Sequence, residues 1–136
     1  MYVEVTGRQT GKTTRLVDSI IDYLKNNPNN SALIVARTEE SRKSIQNKVN
    51  EKCGRPCEYR TITSYKMLPP SEKGTIKQFV DEFWGLNPKK LVVDKKAYYT
   101  TSSYPLMNWK AVEIIDFYKK NESKLKPNKV LFKHKM

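Results

Sequence analysis

The sequence predicts an α/β protein with a mostly parallel central sheet and helices on both faces. Three observations carry that expectation. Strand-like and helix-like segments alternate along the chain, the pattern of repeated βαβ units. One segment, Ala32-Leu33-Ile34-Val35-Ala36, is a continuous apolar run of the kind that fills a strand buried on both faces. The length of 136 residues fits a single domain, 1–136, large enough to bury roughly two-thirds of its unfolded surface without disulfides or metal.

Taken in order, a β-branched stretch from Tyr2 to Thr6 predicts a first strand, followed by a polar loop. Leu16, Val17, Ile20, Ile21 and Leu24 then recur at helical spacing, with Asp18, Asp22 and Lys25 on the other side. Asn26 to Asn30, with Pro28, ends that helix, and Ala32–Ala36 is the second strand. Thr38 is placed to cap a further helix to about Lys52, with Glu39 and Glu40 in the first turn and a thin apolar stripe through Ile45 and Val49. Glu58 to Ser64 predicts a short strand, Leu68 to Ser71 a turn, and Ile76 to Phe83 an apolar strand ending in acids. Lys96 to Ser103 is rich in strand formers. Ala111, Ile114, Ile115 and Tyr118 mark a helix over Met107–Lys120, and Val130 to Phe132 predicts a last strand.

Composition narrows the class. The 38% hydrophobic and 29% charged content is that of a globular protein, and no apolar run approaches the roughly 18 residues that span a bilayer. The N-terminal residues lack the basic and apolar regions of a secretory signal, so a cytosolic location is expected. Cys53 and Cys57 are then expected as reduced thiols, and with His134 the only histidine a structural zinc site would have to recruit carboxylates. The formal charge is +12. It is concentrated in a lysine-rich part, 84–136, where twelve lysines stand against four acids. Such a balance points to an anionic partner, with a solvated lysine surface as the plainer alternative.

The most informative residues lie between the first strand and the first helix: Gly7, Arg8, Gln9, Thr10, Gly11, Lys12, Thr13 and Thr14. A phosphate-binding loop needs small residues so that successive backbone N–H groups point inward, and a helix N-terminus to add positive potential. Lys12 occupies the position that reaches β- and γ-phosphates, and the Thr13 hydroxyl the position that binds Mg²⁺. In the usual pattern the first glycine stands where this chain has Thr6, with Gly7 one residue late. The plainer alternative is that Gly-Lys-Thr-Thr merely opens a helix. Nucleotide hydrolysis also needs a carboxylate for the metal and another to orient water. Asp81 and Glu82, closing an apolar strand, are the candidates, with Asp94 after Leu91-Val92-Val93 as competitor.

Arg8, Gln9, Gly11, Lys12, Thr13 and Thr14 resemble the variant Walker A motif of phage terminase large subunits. Phe79 to Phe83 is similar to that family's Walker B strand, and Thr100 to Ser103 to its hydroxyl-rich coupling motif. Ala32 to Val49 and Arg60 to Tyr65 are similar, more loosely, to segments of superfamily 1 and 2 helicases that contact single-stranded DNA. The resemblance covers about the first 105 residues. It implies a three-layer P-loop NTPase fold of the additional-strand, catalytic-glutamate type, in a phage or mobile-element protein. It further implies ATP and Mg²⁺ as cofactors, Asp81 and Thr13 at the metal, Glu82 orienting water, and Thr101 and Ser102 sensing the γ-phosphate. Arg8 is expected to assist charge on the γ-phosphate or, alternatively, to pair with a carboxylate or face solvent.

Tyr98, Tyr99, Tyr104 and Trp109 are interleaved with lysines, so Lys95, Lys96, Lys110, Lys119 and Lys120 are the candidate nucleic-acid contacts, DNA being favoured. At least half of these aromatics are expected in the core instead. Arg37, Arg42, Arg55 and Arg60 are candidates for an arginine offered to a neighbouring subunit in a homo-oligomer or in a larger motor or replication complex. The leading expectation is a Mg²⁺-dependent ATPase coupled to nucleic acid. The alternative is a degenerate nucleotide-binding module, acting as an interaction protein with little or no turnover.

Overall fold

The computed structural model describes residues 1–7, 11–54, 60–70, 74–102 and 110–121. The elements, in chain order, are β1 (Tyr2–Thr6), α1 (Lys12–Asn26), β2 (Ser31–Val35), α2 (Glu39–Cys53), β3 (Thr61–Ser64), β4 (Ile76–Asp81), a 3₁₀ turn (Phe83–Gly85), β5 (Tyr98–Ser102) and α3 (Lys110–Lys120). The strands form one sheet in the order β1-β5-β4-β2-β3, and every pairing in it is parallel. The α/β class with a parallel sheet is therefore as the sequence predicts. Val130–Phe132, Glu58 and Met107 lie outside the described residues.

Alternation along each strand divides the core in two. Ala32, Ile34, Phe79 and Tyr98 face α1 and α2, packing against Leu16, Val17, Ile20, Ile21, Leu24, Ile45 and Val49. Leu33, Val35, Val80 and Tyr99 face the other way, where α3 and the segment around Phe83, Leu91 and Val93 cover them. This is why the inner strands are apolar without interruption: both of their faces are buried. The edges differ. Tyr2 and Val5 on β1, and Ile62 on β3, remain exposed.

Local chemistry sets the ends. Thr38 caps α2 by accepting the Ser41 N–H at 3.1 Å, with Glu39 and Glu40 following in the first turn. Asn27 closes α1 through two hydrogen bonds to the Tyr23 carbonyl. The Arg60 guanidinium donates to the Leu24 and Asn30 carbonyls, joining the start of β3 to the end of α1. Cys53, at the end of α2, is disulfide-bonded, contrary to the expectation of reduced thiols; Cys57 lies outside the described residues.

Two strand boundaries differ from the periodicity. β5 begins at Tyr98 rather than Lys96, because the Asp94 carboxylate accepts the Lys96 N–H and the Asp94 carbonyl accepts that of Ala97, making a turn. β4 stops at Asp81, because Glu82 adopts the left-handed conformation, φ 55° and ψ 55°, and Phe83 starts the 3₁₀ turn.

Candidate functional site

An all-parallel sheet gathers its strand C-termini along one edge, and here that edge collects Thr6, Asp81 and Ser102 beside the start of α1. Gly11 precedes the helix at φ 80°, a conformation that a side chain would strain. The first turn of α1 holds no acidic residue and, among the described residues, no side chain caps it, so the positive end of the helix dipole faces the edge. Lys12 is the first helical residue. Thr13 beside it is half-buried, as is Gly7, and Thr14 is exposed; Arg8, Gln9 and Thr10 lie outside the described residues.

The Lys12 ammonium donates to Glu82 Oε1 and lies 3.5 Å from Asp81 Oδ1. Two adjacent residues of an extended strand point to opposite faces. The left-handed turn at Glu82 removes that restriction and brings both carboxylates to one ammonium. Glu82 accepts further hydrogen bonds from the Trp84 indole at 2.6 Å, the Ser102 hydroxyl at 2.9 Å and the Thr101 hydroxyl at 3.3 Å. The two hydroxyls singled out in the sequence thus meet the acid singled out with them.

Burial raises the Asp81 carboxyl above its ordinary value; Lys12 offsets this in part, and the neighbouring Glu82 charge adds to the rise. Burial also pushes Glu82 up, but there the Lys12 ammonium, the Ser102 hydroxyl and the Trp84 indole outweigh it and leave the carboxyl below its ordinary value. The pair is therefore set apart by environment, with Glu82 held as the firmer anion. Arg37 lies over the Trp84 ring, 4.2 Å from its centroid, behind Glu82. A cavity of about 320 Å³ opens there, lined by Arg37, Thr38, Ser41, Asp81, Glu82 and Trp84.

Asp94, the competing acid, stands before β5 at the other edge of the sheet. It is buried, and its oxygens accept the Gln78 amide and the Lys96 N–H at 3.0 and 2.9 Å. Those bonds make it a structural group. Periodicity gave no sign of Glu4, which is 7% exposed and accepts from Arg15 Nε at 3.1 Å, from Thr6 at 3.0 Å and from Tyr2 at 3.1 Å. The Arg15 contact, aided by Thr6 and Tyr2 against the opposing effect of burial, holds its carboxyl at about 2. Thr6 thus bonds back to Glu4 within β1 itself.

The lysines expected to meet nucleic acid are not gathered at the Lys12 edge. Lys95 and Lys96 precede β5, and Lys119 donates to the Met1 carbonyl, all toward the strands' N-terminal ends. Lys120 pairs with Asp116, and Lys110, opening α3, with Glu113. Tyr98 and Tyr99 are core, Tyr99 being fully buried against Phe83, so neither is a stacking platform. Tyr104 and Trp109 lie outside the described residues. Of the four arginines, Arg60 is bonded to backbone carbonyls, Arg42 donates to the Ala36 carbonyl, and Arg55 lies outside the described residues. Arg37 is exposed and lies over the Trp84 ring.

Among the described residues no helix is long and apolar enough to cross a membrane, and no group of three or more His, Cys, Asp or Glu side chains is placed to hold a metal ion. Comparison with protein-family models, with curated proteins and with solved structures returns no match.

Proposed function

We propose that the chain binds Mg²⁺·ATP at the Lys12 edge of the sheet and hydrolyses it, coupling nucleotide state to nucleic-acid binding. The observation that carries this reading is the convergence of Lys12, from the first turn of α1, with Asp81 and Glu82, from the end of β4. A cation at a helix N-terminus suits the β- and γ-phosphates, and an acid pair opposite suits a metal and a water. β5 stands between the strand that leads into the loop and the strand that carries the acids, consistent with an additional-strand ATPase.

Mg²⁺ takes one or two carboxylates along with phosphate oxygens and keeps several waters, so it needs no dedicated cage. Asp81, whose contact with Lys12 is long and which lines the neighbouring cavity, fits that role together with the Thr13 hydroxyl. The ion, when bound, neutralises phosphate charge. In this mechanism Lys12 exchanges the carboxylates for phosphate oxygens, and Glu82, held by Trp84, Thr101 and Ser102, orients water for in-line attack. Arg8 assists at the γ-phosphate. Loss of that phosphate is felt by Glu82 and passed through Trp84 to Arg37.

Nucleic acid would then meet a different surface from that of Lys95, Lys96 and Lys119. A groove of about 510 Å³ runs past Tyr65, Lys66, Gly85 and Lys90, with no acidic residue in its lining. Tyr65 is 65% exposed, a stacking surface beside two cations. A second reading, nucleotide binding without turnover, draws on Glu82, whose oxygens are already taken by four side chains.

The test is Mg²⁺-dependent phosphate release from ATP, with and without single- and double-stranded DNA, beside Lys12→Ala and Glu82→Gln. Turnover that rises with DNA and is lost in both variants supports the ATPase. Tight binding of Mg²⁺·ATP without release supports the second reading, and the absence of nucleotide binding overturns both.

A further inference from the structure

We propose that Thr100 is a positioning residue for Asp81, its hydroxyl donating to that carboxylate when Lys12 leaves it. The proposal rests on the ATPase reading for what moves Lys12, the arrival of phosphate. Thr100, the third residue of β5, is fully buried, and its hydroxyl has no hydrogen-bond partner. An orphaned buried hydroxyl costs folding free energy, so it counts against the arrangement in which it stands idle.

The register identifies the group it serves. β5 lies between β1 and β4, and Thr100 is paired with Glu4 on one side and with Asp81 on the other. Tyr98 and Phe79, two residues earlier in their strands and paired in the same way, both face α1, so alternation puts Thr100 and Asp81 on that face too. Neighbouring strands run about 4.8 Å apart, which brings side chains so paired within reach of each other. Glu4 is already supplied, since Arg15, Thr6 and Tyr2 all donate to it. Asp81 has fewer donors: the Lys12 ammonium at 3.5 Å and the Glu82 N–H.

While Lys12 stays, Asp81 and Glu82 share its charge. When phosphate draws it away, Glu82 keeps Trp84, Thr101 and Ser102, whereas Asp81 loses the one cation that pairs with it among the described residues. A threonine hydroxyl turns about a single bond to offer its proton, and that bond holds one carboxylate oxygen while leaving the other to Mg²⁺. β5 then steadies both acids, Thr101 and Ser102 the one that orients water, Thr100 the one that meets the ion.

Two measurements test the exchange, the first without nucleotide. Thr100→Val removes the orphaned hydroxyl at nearly the same shape, so the urea midpoint of the nucleotide-free protein should rise. In a Lys12→Ala background the hydroxyl is already engaged with Asp81, and the same change should lower the midpoint. A rise of equal size in both backgrounds overturns the exchange. The second is calorimetry with Mg²⁺ and the β,γ-imido analogue of ATP, where Thr100→Val should bind about tenfold more weakly, the loss of one hydrogen bond to a charged group. kcat should change little, because the bond is present in ground and transition states alike. Thr100→Ser keeps the hydroxyl and loses a buried methyl, so it should retain the affinity while lowering the midpoint. Affinity that follows stability through wild type and both variants, or that Thr100→Val leaves unchanged, overturns the role of Thr100. Wild-type protein that binds no nucleotide overturns the ATPase reading, and the comparison of backgrounds still decides the exchange.

Discussion

Trp84 donates its indole N–H to Glu82 at 2.6 Å, two residues back along the chain, and fixes the carboxylate that reaches Lys12. The contact depends on the left-handed backbone at Glu82, which folds residues 83–85 back toward the end of β4. A conformation rare for a residue with a side chain is thus maintained by five hydrogen-bond donors around one carboxylate.

Replacing Trp84 with Phe keeps the ring for Arg37 but removes the N–H. On the proposed function, turnover is expected to fall about tenfold, the loss of one hydrogen bond to a charged group, with little change in ATP affinity. Separate determination of kcat and KM checks this, and an effect confined to KM would count against a positioning role.

Glu82→Gln leaves most of the hydrogen bonds in place and removes the charge. On the proposed mechanism kcat drops by about 10²-fold or more while ATP still binds. Undiminished phosphate release would end the role assigned to Glu82.

Gly85 makes room for Arg37: a Cβ there would come within 2.4 Å of Arg37 Cδ. Because the obstructed group is a flexible, exposed side chain, Gly85→Ala should change stability by no more than about 0.5 kcal/mol, while lifting the guanidinium off the ring. Tryptophan fluorescence should shift in the variant. An unchanged spectrum would mean that Arg37 does not rest there in solution.

Glu4 ties folding to pH. Its carboxyl sits at about 2 in the folded protein against an ordinary 4.5, so the folded state binds that proton less tightly than the unfolded chain does. The resulting stability is complete above about 4.5 and is lost as the pH falls toward 2. Urea denaturation across that range should show Glu4→Gln with a shallower acid limb and lower stability at neutral pH.

Phe79 is fully buried where β4 meets α1, touching the Tyr23 and Tyr98 rings. Phe79→Ala should cost about 3–5 kcal/mol in equilibrium unfolding. Thr38→Ala, which removes an exposed cap, should cost only about 1 kcal/mol. Similar losses in the two would contradict the burial assigned to Phe79.

Much of this architecture was visible as periodicity. The helical spacing from Leu16 to Leu24 and the run Ala32–Ala36 record faces that are buried, and burial is what hydrophobic pattern reports. That Lys12, Asp81 and Glu82 belong to one site was legible, because an acid after an apolar strand lands at the same edge as a helix that follows another strand; their direct ion pair was not. What pattern does not carry is direction at a single residue. Phe83 is apolar and follows the acids directly, so Ile76 to Phe83 reads as one strand and the left-handed backbone at Glu82 does not show. The Glu4–Arg15 pair was hidden for a related reason, since it exists only once α1 packs on β1. Lysine count likewise gives charge without position, and Lys95, Lys96 and Lys119 fell at the edge away from Lys12.

The place of β1 in the sheet bears on biosynthesis. Among the described residues its one neighbour is β5, with Tyr2 paired to Tyr98 and Thr6 to Ser102, so a strand finds its partner far along the chain. Contacts so distant in sequence are slow to close. β2, β3, β4 and their helices are free to assemble as the ribosome releases them, whereas the chain on both sides of Lys12 waits for residue 102 to emerge. The Lys12–Glu82 pair therefore forms only after β5 is made, and on the proposed function a nascent chain arrested before β5 should be unable to hold nucleotide.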